Sequence, residues 1–123
     1  MNTQTKRELL ELAVNALGLP YIKPVPEYDG RFGLDVGSDN PFRTWTWNPI
    51  DHDSDALRLA VKLRIEIVYA DGKCVCQFQI PGKGLTSVSE QINDESPFAA
   101  VRLAIVRAAA EIAIATNDAG SSV

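Results

Sequence analysis

The chain owns a single histidine, His52, and only two cysteines, Cys74 and Cys76, so the side chains that most often bind transition metals or form nucleophile–base pairs are scarce. One imidazole and two thiols are too few for a structural metal site. A serine nucleophile on a G-x-S-x-G elbow is also lacking, and Gly82-Lys83-Gly84 has neither the spacing nor the hydroxyl of a Walker A loop. No catalytic residue, cofactor or metal is therefore expected, and the chain reads as a protein that is not an enzyme. An excess of positive charge is missing as well: twelve basic residues against sixteen acidic ones leave a net charge of −4, which repels a phosphate backbone. Double-stranded nucleic acid is accordingly not an expected partner. No apolar run approaches the roughly 20 residues a bilayer requires, so neither is a membrane. Lys6, Arg7, Glu8 and Glu11 stand where a signal peptide would carry its apolar core, which predicts a protein kept in a cytoplasm.

What is present is ordinary globular material: 46% of the 123 residues are hydrophobic and 23% charged, enough for one domain over 1–123. Thr5-Lys6-Arg7-Glu8 has the hydroxyl and carboxylate spacing of a capping box, and Leu9, Ala13, Ala16 and Leu17 follow at helical intervals. A first helix is predicted over 5–17, stopped by Gly18 and Pro20. The stretch 21–40 reads as a loop with one short strand near Arg31 to Val36, and Phe42 to Trp47 alternates as a strand. Asp51, Asp53 and Ser54 open a second helix over 54–63, with Leu57, Ala60 and Val61 turned inward and Asp55, Arg58 and Lys62 outward. The oxygens of 51–55 also suggest the opening of a calcium loop, but Ala56 replaces the required glycine and Lys62 the bidentate glutamate.

The strongest pattern is the pair of alternating runs Arg64 to Ala70 and Lys73 to Ile80 around Asp71-Gly72, the preferred two-residue type I′ turn. Counting outward from the turn pairs Tyr69 with Cys74, Ile67 with Cys76 and Ile65 with Phe78 on one face. Val68–Val75, Glu66–Gln77 and Arg64–Gln79 fall on the other. Cys74 and Cys76 then point the same way, too far apart to bond without breaking the pleat, and are expected as reduced, buried thiols. Leu85 to Ile92 is a further candidate strand. Ser96-Pro97 opens a third helix with serine as N-cap and proline at the first helical position, and the tail from Asn117 is expected to fray.

That third helix carries two apolar stripes, one through Phe98, Val101, Ile105, Ala108, Ile112 and Ala115, the other through Ala99, Leu103, Val106, Ala110 and Ile114. A helix apolar on two sides needs two covers, here the sheet and either the first helix or another protomer, so a homo-oligomer is expected. Trp45 and Trp47 share one strand face and can stack a flat ligand such as a nucleobase, although core packing, with Trp47 anchoring the entry to the second helix, is the plainer reading. Arg102 and Arg107 can bind phosphate or carboxylate through forked donors. Exposure, or pairing of Arg107 with Glu111, is the alternative.

Trp47-Asn48-Pro49-Ile50, followed by the acidic stretch and Asp55-Ala56-Leu57-Arg58-Leu59-Ala60-Val61-Lys62-Leu63, resembles the bacteriophage and prophage family of phage ABA sandwich domains. Arg102-Leu103-Ala104-Ile105-Val106-Arg107-Ala108-Ala109-Ala110-Glu111 is similar to that family's other block. The resemblance implies an α+β fold with an antiparallel sheet between helical layers, encoded by a phage or prophage and acting in a bacterial host cytoplasm. A more distant likeness to phage anti-Thoeris sponge proteins implies a small nucleotide-like ligand held between protomers. The candidate ligand-binding residues are then Trp45, Trp47, Asn48, Arg102 and Arg107. The competing expectation is a structural or protein–protein interaction module with no small-molecule ligand.

Overall fold

The computed structural model describes residues 3–18, 23–28, 31–35, 47–93 and 95–121. In chain order these form α1 (Thr3–Leu17), β1 (Lys23–Tyr28), β2 (Arg31–Asp35), α2 (Asp53–Leu63), β3 (Glu66–Ala70), β4 (Lys73–Ile80), β5 (Gly84–Gln91) and α3 (Pro97–Ser121). Three helices packed with the antiparallel sheet β3-β4-β5 make an α+β fold, and β1 and β2 form a separate antiparallel ribbon beside α1.

The hairpin follows from its turn. Asp71 and Gly72 both take positive φ, 54° and 72°, as a type I′ turn demands. The ladder then pairs Ala70 with Lys73, Tyr69 with Cys74, Val68 with Val75, Ile67 with Cys76 and Glu66 with Gln77, the expected register. The two outermost expected pairs lie beyond the ladder, because Arg64 turns left-handed at φ 57° to close α2 and its N–H is used on the carbonyl of Val61. The buried floor is mostly β4, with Cys74, Cys76, Phe78 and Ile80 inside. Tyr69, expected on that floor, is 63% exposed, since it lies on an edge strand beside the turn. Pro81 and Gly82 turn β4 into β5, with Gly82 at φ 83° and Lys83 donating to the carbonyl of Ile80, the arrangement of a type II turn.

α3 is the central post of the fold, packed on β4 and β5 and against both α1 and α2. Its Ala104, Ile105, Val106, Ala108, Ala109, Ala110 and Ala113 are all buried. The small side chains let neighbouring helices approach closely, where they meet Leu10, Ala13 and Val14 of α1 and Ala56, Leu59 and Ala60 of α2 in one core. Most of both apolar stripes is thus covered within a single chain, although Ile114 stays 41% exposed, so the doubled stripe does not by itself require a second protomer. Phe98, assigned to the sheet-facing stripe, is 67% exposed in the first helical turn.

Other local expectations shift. α1 starts two residues before Thr5, which places that threonine inside the helix rather than at its cap. α3 continues to Ser121, past the point where fraying was expected. The stretch holding Pro24 and Pro26 reads as loop, but it forms β1, paired antiparallel with β2, and the register is interrupted between Val25 and Tyr28, where Pro26 falls. The expected strand 42–47 falls outside the described residues except for Trp47, which makes an isolated bridge.

α2 shows the largest correction. Leu57 and Val61, expected inside, are 60% and 69% exposed, whereas Asp55, expected outside, is 1% exposed. The helix is rotated so that Asp55, Ala56, Leu59 and Ala60 face the core. The cause is polar: the Asp55 carboxylate accepts the buried N–H of Asn48, a bond that holds that side of α2 inward.

Candidate functional site

The Trp47-Asn48-Pro49-Ile50 block forms a polar clasp at the entry to α2. Asn48 Oδ1 accepts from the N–H groups of Ile50 and Asp51 at 3.0 and 3.1 Å, its Nδ2 donates to Asp51 Oδ2 at 2.8 Å, and its own N–H donates to Asp55 Oδ2 at 3.0 Å. The amide thereby supplies acceptors to backbone donors that a turn before a helix leaves open. Aspartate capping was expected here, but the N-cap is His52, whose side chain makes no cap bond, and the N–H of Ala56 returns to the His52 carbonyl.

Arg102 ties this entry to α3. Its Nε donates to the carbonyl of Ile50 at 2.7 Å and a terminal nitrogen pairs with Asp53 Oδ1 at 2.6 Å. The Arg102 side chain is 18% exposed and that of Asp53 70%, so the carbonyl contact is part-buried and the ion pair faces solvent. Arg107 reaches the sheet edge, where it pairs with Glu90 and donates to the carbonyl of Ser89 at 3.1 Å. The pairing of Arg107 with Glu111, weighed from their one-turn spacing, gives way to a partner on β5.

These placements decide what the candidate residues can do. Trp47 is fully buried, with no ring face open for stacking, and Asn48 is 1% exposed. Trp45 lies outside the described residues. Arg102 is engaged in the clasp, which leaves Arg107, 42% exposed, as the candidate cation most open to solvent. The structure thus gathers Trp47, Asn48 and Arg102 around one turn and sets Arg107 apart, on the β5 side of α3.

Among the described residues, two buried polar atoms at the clasp have no hydrogen-bond partner, Trp47 Nε1 and Asp55 Oδ1. Burial pushes the Asp55 carboxyl above the usual aspartate range, only partly opposed by the Asn48 N–H and by the charges of His52 and Arg58. Burial also raises both thiols, Cys76 to about 12 with its neighbour Cys74 adding to the effect, so neither is poised as a nucleophile. The imidazole of His52 is exposed at the start of α2, while both thiols lie beneath α3.

Among the described residues no group of three or more histidine, cysteine, aspartate or glutamate side chains is placed to hold a metal ion. No helix among them is long and apolar enough to cross a membrane. What sequence reading missed is the outward face of α2, because helical periodicity alone cannot tell which of two adjacent stripes a polar bond pulls inward. No family model matches the chain, and no curated protein or solved structure matches it either.

Proposed function

We propose that this chain is a non-catalytic interaction module whose partner is a protein. One observation carries the reading: the polar residues best suited to a small ligand are spent on holding the clasp together, while two large aliphatic side chains on α2, Leu57 and Val61, stand open to solvent. Single exposed apolar residues are common, but two on successive turns of one helix form a stripe that water solvates poorly. Phage or prophage origin and action in a bacterial cytoplasm belong to the same proposal and rest on the two sequence blocks alone.

A second reading keeps a small anionic, nucleotide-like ligand, as in an antagonist of host defence. Arg107 favours it, being a forked donor at the sheet edge that an anion would reach by displacing Glu90. Thermal-shift measurement against cyclic and linear nucleotides at millimolar concentration separates the two, because a ligand at 100 times its Kd adds about 2.7 kcal/mol to stability. The interaction module predicts no shift. A rise of several degrees with any nucleotide overturns it in favour of the second reading.

A further inference from the structure

We infer that the partner for α2 is a second copy of this chain, docked helix to helix and antiparallel about a two-fold axis between Leu57 and Val61; this rests on the interaction reading above. The two side chains are one helical turn apart and 60% and 69% exposed. The opposite face of α2 is already used on α3 through Ala56, Leu59 and Ala60, so the exposed pair forms a second apolar face of the same helix. Around it the charges are sorted by end. Asp51 and Asp53 lie exposed at the N-terminal entry, Asp53 also pairing with Arg102 and Asp51 accepting from Asn48, and Arg58, Lys62 and Arg64 lie exposed toward the C-terminal end.

This sorting selects both the occupant and its direction. An antiparallel copy sets each Leu57 on the partner's Val61 and brings each acidic entry beside the basic end of the other helix. Helix dipoles are opposed in the same arrangement, which is favourable. A parallel copy would stack basic end on basic end. An acidic peptide or an anionic membrane would satisfy the basic half and meet like charge at Asp51 and Asp53, on a chain whose net charge is already −4. A face carrying its own complement is the signature of an isologous contact, in which one patch serves both subunits.

Eleven residues of helix give a contact about 16 Å long. A contact of that length is small beside the roughly 1,200 Å² of total burial typical of stable complexes, so the dimer forms and dissociates with concentration. Sedimentation equilibrium of the full chain from micromolar to millimolar concentration is expected to show the mass rising toward twice that of one chain. Leu57→Asp and Val61→Asp change exposed positions and leave the circular-dichroism melt of the monomer in place, yet each weakens association at least tenfold. Direction is read by oxidising a mixture of Leu57→Cys and Val61→Cys chains, in which the antiparallel dimer yields mainly the mixed disulfide; the buried Cys74 and Cys76 do not compete.

A monomer at millimolar concentration overturns the inference, and so does a dimer indifferent to both aspartate variants. Predominant Leu57→Cys self-crosslinking overturns the antiparallel arrangement. Each of these outcomes leaves the interaction reading to be judged by the nucleotide titration, so the two failures are told apart.

Discussion

Asp55 makes the clasp testable through pH. Its carboxyl is 1% exposed, one oxygen accepts the Asn48 N–H at 3.0 Å and the other has no partner among the described residues, so ionisation places a charge where one hydrogen bond and the coulombic pull of His52 and Arg58 only partly oppose the loss of solvent. Burial raises the folded pKa above the unfolded value near 3.8. A carboxyl shifted upward binds its proton more tightly in the folded state, so its contribution to stability is complete below the unfolded pKa and is lost as pH rises through the folded one. Asp55→Asn keeps an acceptor for Asn48 and removes the ionisation. Its unfolding free energy relative to the parent chain should therefore improve steadily from pH 4 upward and level off once Asp55 in the parent is ionised. Asp55→Ala also removes the ionisation but strands a buried N–H, at a cost of about 1–3 kcal/mol relative to Asp55→Asn at every pH. Urea unfolding at pH 4, 5.5, 7 and 8.5 measures all three proteins, and comparison at each pH cancels the titration of the other carboxylates. An asparagine variant whose stability tracks that of the parent across the whole range would refute the reasoning.

Arg102→Ala should cost about 1–3 kcal/mol, because the carbonyl of Ile50 loses a partly buried, charge-assisted donor, whereas Asp53→Ala should cost roughly 0–1 kcal/mol since its carboxylate is 70% exposed; denaturant midpoints of the two variants rank them. The thiols offer a cheaper check: Cys74 and Cys76 are buried, with Cys76 raised to about 12, so a thiol-specific disulfide reagent at pH 8 should label neither until urea unfolds the chain. Labelling of native protein at the rate of a free thiol would contradict their place on the floor.

Legibility in the sequence varied with the locality of the cause. The Asp71-Gly72 turn dictates its own geometry within four residues, and the register of β3 on β4 follows by counting. Ser96-Pro97 marked the start of α3 for the same reason, since the constraint lies in the proline ring itself. The ribbon was half legible: Arg31 to Val36 reads as a strand, observed as Arg31–Asp35, but its partner carries two prolines, which argue against a strand when read from sequence alone. The rotation of α2 was not legible. Its pattern fits either face, and the decision falls to a hydrogen bond between residues seven apart, Asn48 and Asp55. A reader of the sequence has no rule that turns a charged side chain toward the core.

The same bond changes the meaning of the block that carries the family resemblance. Taken as residue types, a tryptophan, an asparagine and a downstream arginine suggest a ligand pocket: a ring to stack, an amide to recognise, a guanidinium to neutralise. In space each has another task. Trp47 fills the core, Asn48 closes the turn that starts α2, and Arg102 joins the carbonyl of Ile50 to α3 across 52 residues of sequence. A clasp of this kind demands specific side chains at specific positions as strictly as a binding site does, since Asn48 and Asp55 at its centre are buried and an unpaired buried group costs more than a paired one returns. Specific spacing in a sequence therefore signals constraint without saying whether the constraint serves a ligand or the fold. In this chain Trp47, Asn48 and Arg102 make contacts within the fold, and the exposed stripe of Leu57 and Val61 on which the proposed interface rests is one that no short motif announces.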